Sequence, residues 1–210
     1  MLREEGYGVT LASRTAGKVE TAAAELGAHA AVANVAAEDD CRRVVAEHRD
    51  RYGGLDVLVN SAGIGIAGSA EQLVTKQLDL QLSVNLRGLL LVTREALPLL
   101  RASRGWIVNV ASIAGTVPTP GLLVYGATKA AVIAATRTLN AELESDGVRA
   151  VALCPGFVDT AMAEWSGLAA DEMIQPEDCA EIVRMCLRLS PRARVPQVVV
   201  ERVGSADGSY

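Results

Sequence analysis

Tyr125 and Lys129 stand four residues apart, a spacing that can carry acid–base chemistry. On a helix it puts both side chains on one face, with the ammonium close to the phenol. A free phenol titrates near pH ~10, so bringing it to neutrality takes about 3 units, or about 4 kcal/mol of preference for the phenolate. A neighbouring ammonium acts in that direction. A phenol tuned in this way can hand a proton to an alkoxide as it forms, which is what carbonyl reduction requires of its general acid. Ser112 follows the apolar run Trp106-Ile-Val-Asn-Val-Ala111 and can hydrogen-bond the same oxygen.

Regular elements must hold these residues together. The chain has 210 residues, half of them hydrophobic, enough for one domain with a substantial core. Aromatic residues make up only 3%, while Ala, Val, Leu and Gly are plentiful, which suits parallel strands under closely packed helices. Apolar runs predict strands at Tyr7 to Ser13, His29 to Ala33, Leu55 to Asn60, Trp106 to Ala111, Val148 to Cys154 and Gln197 to Arg202. Helical spacing predicts helices at Thr15 to Leu26, Cys41 to Tyr52, Thr75 to Arg101, Val124 to Ser145 and Pro176 to Leu189. Alternation of this kind means a doubly wound parallel α/β sheet, Rossmann-like, spanning residues 1–203 as one domain, with a flexible tail at 204–210. Asn60, Ser112 and Pro155 each follow the apolar part of a strand, so they are expected at one edge of the sheet, where such folds bind ligands.

Composition also excludes partners. A net charge of −5 with no basic block argues against nucleic acid or an anionic membrane surface, and no apolar run is long enough for a bilayer. The start, Met-Leu-Arg-Glu-Glu-Gly, has no signal-peptide core, which predicts a cytoplasmic protein. Cys41, Cys154, Cys179 and Cys186 form no Cys-x-x-Cys pair and the chain has two histidines, so no metal site is expected and the cysteines read as free thiols.

Ser112 and Tyr125-Gly-Ala-Thr-Lys129, with Asn60-Ser-Ala-Gly63, Val84-Asn85 and Pro155-Gly156 around them, resemble the short-chain dehydrogenases/reductases in order and spacing. The resemblance covers about Tyr7 to Arg202. It implies hydride transfer between a nicotinamide cofactor and a small carbonyl compound or secondary alcohol. Tyr125 would be the general acid or base, Lys129 would depress its pKa and bind the nicotinamide ribose, and Ser112 would hold the substrate oxygen. Asn85 would be the fourth catalytic member, through a backbone carbonyl in a distorted helix; otherwise it is a mild helix weakener. Asn60, Ala62 and Gly63 would stabilise the central sheet and approach the adenosine ribose, and Pro155, Gly156, Val158 and Thr160 would meet the nicotinamide carboxamide. Thr160 also reads as a helix N-cap. Arg14, after the first strand, would accommodate a 2′-phosphate and so favour NADP over NAD; alternatively it is a solvated residue at a helix start. Asn34-Val35 would stand near the adenine. The segment between Thr160 and Pro176, with Met162, Trp165, Leu168 and Met173, would be a flap over a modest apolar substrate. The long helices from Thr75 and Val124 resemble those through which the family forms homodimers and homotetramers.

The resemblance also implies a first strand, glycine-rich turn and helix that would hold a pyrophosphate, and Leu2 to Gly6 reads as the end of such a helix. A βα unit of about 20 to 30 residues is therefore expected to be missing, leaving two unpaired edges inside the sheet. Either the protein starts further upstream, the favoured reading, or the strands pair another way. A chain without that turn also admits another function, a catalytically inactive binding or assembly protein. A third reading, nucleotide binding for regulation, has no use for a tuned phenol.

Overall fold

The architecture comes from a computed structural model, which describes residues 1–204. Beyond Gly204, the expected tail lies outside the described residues. Among these, parallel strands form two sheets. In the first, β1 (Thr10–Ser13) pairs with β2 (His29–Val32). In the second, β3 (Val57–Asn60), β4 (Trp106–Val110), β5 (Arg149–Pro155) and β6 (Gln197–Val200) lie side by side in that order. The helices are α1 (Ala16–Leu26), α2 (Glu38–Tyr52), α3 (Thr75–Leu82), α4 (Leu89–Ser103), α5 (Leu123–Glu142) and α6 (Pro176–Leu187).

Helices cover both faces of the larger sheet, as doubly wound folds require. Successive residues of β4 face opposite ways: Ile107 packs with Ala96 and Leu100 of α4, whereas Trp106 and Val108 pack with Val183 and Cys186 of α6. The central strands β4 and β5 are buried on both sides, which explains why they read as continuous apolar runs rather than alternating ones.

Between the two sheets the ladder is interrupted. β1 and β3 each have one hydrogen-bonded neighbour, and they do not pair with each other. Among the described residues, β1 and β3 thus each keep one edge without a strand partner. Helix packing holds the two sheets together instead, with α2 against α4. Arg94 of α4 bonds Glu38 of α2 at 2.7 Å, and Arg87 donates to the Ala36 carbonyl at 2.9 Å.

Element limits differ from the sequence pattern for local reasons. Helix α2 begins at Glu38, ahead of the predicted Cys41, because Glu38, Asp39 and Asp40 supply an acidic first turn that complements the helix dipole. The long helix expected from Thr75 to Arg101 is broken by a π-helical turn, Ser83–Gly88, before α4 resumes. Leu2 to Gly6 is a turn with the hydrogen bonds of a helix end: Tyr7 N donates to Leu2 O and Gly6 N to Arg3 O, both at 3.1 Å, with Gly6 at φ 90°.

A buried polar chain locks the sheet to the helices that carry the site. Asn60 donates to Thr93 at 3.1 Å and to Asn109 at 2.9 Å, and Asn109 donates to Thr136 of α5 at 2.9 Å. Asn109 and Thr136 are completely buried. Such a network stabilises only while every member keeps its partners. Asn109→Ala is therefore expected to lower stability by about 2 to 3 kcal/mol, seen as a lower urea midpoint, since it takes the acceptor from Asn60 and the donor from Thr136 and leaves a void.

Candidate active site

The site lies at the carboxyl ends of β3, β4 and β5, beside one cavity of about 780 Å³. Ser112, Tyr125 and Lys129 all line it. Ser112, two residues beyond the end of β4, is the N-cap of the turn Ile113–Gly115 and accepts from Ala114 N at 3.2 Å, so its own proton is available to a partner. That turn lies directly on α5. A Cβ at Gly115 would come 2.7 Å from the Lys129 carbonyl carbon, and one at Gly126 would come 2.8 Å from the Ala114 oxygen. The two glycines set the distance between Ser112 and the Tyr125 helix. Neither was singled out in the sequence, where glycine at close packing looks like glycine in a turn.

Tyr125 is half-buried, and its ring packs beside Gly65, where a Cβ would lie 3.5 Å from the ring edge. Lys129 is 4% exposed. Its Nζ donates to the Val110 carbonyl at 2.7 Å and sits 5.6 Å from the Tyr125 ring centre. Burial pulls the Lys129 pKa from 10.5 down to about 8. Burial likewise raises the Tyr125 pKa, against the opposing effect of a hydrogen bond with Ser112. The expected depression of the phenol is thus reversed. Taking either group out of water disfavours its charged form, and the ammonium is bonded to a carbonyl instead of the phenol.

Asn85 lies within the π-helical turn and is buried. The helix is distorted there, as the resemblance implied, yet the side chain has its own work. It accepts from Ile64 N at 2.8 Å, and donates to Ile64 O at 2.9 Å and to Thr128 at 3.1 Å. Gln81, one turn earlier and 2% exposed, accepts from Ile66 N at 3.1 Å. Together they clamp the Gly63 to Ile66 loop that forms one wall of the cavity. The sequence signal for Gln81 was weak, because the same stretch also carries Gln77, Asp79 and Ser83.

The remaining expected residues divide between two places. Gly63, Pro155, Gly156, Val158 and Thr160 line the cavity, and so does Ser61. The backbone at Gly63 runs close to the ammonium, since a Cβ there would sit 3.4 Å from Lys129 Nζ and 3.6 Å from Asn85 Oδ1. Asn60 and Ala62 are not in the cavity wall. The Asn60 amide points into the core network, so its part is structural. Thr160 caps no helix, because its hydroxyl bonds the Val158 carbonyl at 3.3 Å and the next helical turn starts at Glu164. Arg14, Asn34 and Val35 belong to the β1–β2 part and lie away from the cavity. Arg14 is exposed at the end of β1 and makes no ion pair among the described residues. The Asn34 side chain accepts from Ala36 N at 3.1 Å, while its backbone N donates to Asp40 at 2.8 Å, so it serves a local turn. Of the expected flap residues, Met162 and Trp165 line the cavity and Leu168 and Met173 do not.

Among the described residues no group of three His, Cys, Asp or Glu could hold a metal ion, and no helix is long and apolar enough to cross a membrane. The four cysteines are free thiols.

The chain is similar to known proteins in sequence and in fold. The chain is 33% identical over 208 residues to an uncharacterized oxidoreductase of Staphylococcus epidermidis, covering 96% of this chain and 89% of that protein. It superposes on an alcohol dehydrogenase from the archaeon Thermococcus sibiricus, solved with 5-hydroxy-NADP, at a TM-score of 0.88 and 28% identity, covering 96% of this chain and 88% of the other. A 3-ketoacyl-(acyl-carrier-protein) reductase from Brucella melitensis, solved with NADH, gives a TM-score of 0.86 and 29% identity over 95% and 87% of the two chains. Residues 1–169 match the model of the short chain dehydrogenase family, so the chain, a member of a group of nicotinamide-dependent oxidoreductases, belongs to that family.

Proposed function

We propose that the protein reduces a small carbonyl compound, or oxidises the matching alcohol, with NADP as cofactor and Tyr125 as the general acid or base. The observation that carries this reading is the convergence of Ser112, Tyr125 and Lys129 in the wall of one cavity. The same convergence speaks against an inactive binding protein, which needs none of these groups.

The cavity fits the nicotinamide end of the cofactor. Gly63 brings the loop backbone close to the Lys129 ammonium, and both line the cavity in which ribose hydroxyls would sit. Val158 sits in a bridge to Ile174, made by Asp159 N and Phe157 O; its own N–H therefore points away from Ile174 and would be the group to hold a carboxamide, its carbonyl being taken by Thr160. When bound, the reduced nicotinamide supplies the hydride for the carbonyl carbon. Ser112 donates to the carbonyl oxygen and holds it near Tyr125. The Tyr125 hydroxyl gives its proton to that oxygen, completing the alcohol, and the resulting phenolate is stabilised by Lys129 until solvent returns a proton. Asn85 and Gln81 keep the Gly63 to Ile66 wall in place throughout.

The preference for NADP rests on Arg14, an exposed cation at the end of β1 with no anionic partner among the described residues. Arg14→Ala is expected to lower kcat/KM for NADPH by about 10- to 100-fold and leave NADH nearly unchanged, the effect of losing a charge-assisted contact to a 2′-phosphate. Equal losses with both cofactors would remove the assignment. We also propose a homodimer or homotetramer. Leu82 and Leu90 are exposed at 39% and 41%, and Ala127, Ala130 and Ala134 present a small-residue face on α5. A monomer by light scattering would overturn this. Four free thiols and use of NADPH suit a reducing compartment, so we assign the protein to the cytoplasm.

The function as a whole is tested by following NADPH absorbance with a panel of ketones and aldehydes. Carbonyl-dependent consumption is expected. No consumption with any carbonyl, together with no calorimetric binding of either cofactor, would sink the proposal.

A further inference from the structure

We infer that the substrate of this cavity is an uncharged aryl ketone or aromatic aldehyde, its ring against Phe157 and Trp165 and its carbonyl oxygen at Ser112 and Tyr125. This rests on the oxidoreductase reading above and names the substrate class. The first observation is the charge inventory of the wall. Lys129 is the one charged side chain among the described lining residues, which include no Arg, His, Asp or Glu. Its ammonium is already bonded to the Val110 carbonyl, on the Gly63 side. Beyond Lys129, a substrate carboxylate or phosphate entering here would meet no cationic side chain in the described lining, which disfavours an anion.

The second observation is the aromatic wall. The sequence holds a single phenylalanine and two tryptophans. Phe157 and Trp165 meet edge to face, with ring centres 5.6 Å apart and planes at 71°. Both line the cavity. Trp165 is nevertheless 65% exposed, and Met162 beside it is 47% exposed. Large apolar side chains left open at a cavity mouth are ready to cover an apolar guest. Aromatic pairs gain beyond their buried area from such geometry, and a methionine thioether adapts to a ring. The segment that presents them is fixed at its base, where Ile174 N donates to Phe157 O and Asp159 N to Ile174 O, both at 2.9 Å. Opposite, Ile66, Ile113 and Leu122 complete an apolar slot.

In reduction the substrate C=O π bond is broken, its carbon takes hydride from the reduced cofactor, and its oxygen takes the Tyr125 proton. The product is a neutral benzylic-type alcohol, and the cofactor leaves oxidised.

The test compares methyl phenylglyoxylate, phenylglyoxylate and methyl pyruvate, which separate charge from aromaticity. The neutral aryl ester is expected to exceed the anion by about 100-fold in kcat/KM, the effect of a buried, unpaired charge. The aryl-to-alkyl ester ratio is expected to fall about tenfold in Trp165→Ala, as loss of an aromatic contact predicts. A second readout needs no turnover: the aryl ester should quench tryptophan emission saturably, and Trp165→Phe should abolish the saturable part, because Trp106 is buried away from the site. Equal or faster turnover of phenylglyoxylate would overturn the substrate class and leave the oxidoreductase reading standing. Saturable quenching by the ester alone, without turnover of any of the three, would support the class and count against the reading. Absence of both quenching and aryl preference would overturn the inference.

Discussion

Tyr125→Phe is expected to lower kcat/KM for carbonyl reduction by about 10³-fold, within the range a positioned general acid contributes. The substitution removes one oxygen and keeps the ring. That ring packs beside Gly65, and the lost hydroxyl has its hydrogen bond with Ser112 at a half-buried position, so stability should change by no more than about 1 kcal/mol. Binding of cofactor and of a neutral ketone should persist, which separates loss of the acid from loss of the site. The pH profile adds a further criterion. Burial raises the Tyr125 pKa, so the phenol keeps its proton throughout the neutral range, and reduction should not fade between pH 6 and 8 through loss of this proton. The residual rate of the variant should be insensitive to pH on the alkaline limb where the wild-type rate falls. Ser112→Ala should cost less than Tyr125→Phe, because it removes a positioning donor while the proton source remains. A Tyr125→Phe enzyme within tenfold of wild type would end the assignment of Tyr125 as the acid.

Much of the fold was legible because parallel strands buried on both faces are apolar throughout. Trp106 to Val110 stands out in the sequence for the same reason that it sits between α4 and α6. Ser112, Tyr125 and Lys129 were legible because their chemistry depends on residue type and spacing. What was not legible depends on partners far away in sequence. Asn60 reads equally well as a ligand-contacting amide or a core amide, and only its bonds to Thr93 and Asn109, 33 and 49 residues away, decide for the core. Asn34 stands at a strand end where a cofactor contact was expected, and the sequence did not show that its side-chain oxygen and backbone N–H also close a short-range turn with Ala36 and Asp40. The reversed shift at Tyr125 has the same origin. Spacing places an ammonium near a phenol, whereas burial, a property of the whole fold, decides which charged forms are tolerated.

Lys129→Met is expected to make the protein more stable at neutral pH while removing most of its activity. The ammonium is 4% exposed and its pKa is pulled from 10.5 to about 8 by burial. At pH 7 it is charged in both folded and unfolded chains, so the folded state carries the full penalty, about 3 kcal/mol for a shift of this size. The unfolded chain binds the extra proton between pH 8 and 10.5, so this residue makes stability rise with pH across that window. Methionine removes the charge and keeps the unbranched stem. It also orphans the Val110 carbonyl, which takes back about 1 to 2 kcal/mol. The net gain at pH 7 is thus about 1 to 2 kcal/mol, or about 2 to 8 °C in Tm for a chain of this length. The gap should shrink from pH 8 upward and reverse near pH 10, where the wild-type lysine is neutral when folded and still holds its hydrogen bond. Tyrosines that titrate in the same range are common to both proteins and cancel in the difference. A gap independent of pH would mean that Lys129 is not held down by burial. Because the phenolate left after proton transfer would then stand in a buried site with no neighbouring cation, the same variant should lose about 10²-fold or more in kcat. A stabilised protein with poor turnover is the signature of a buried charge kept for chemistry at the expense of the fold.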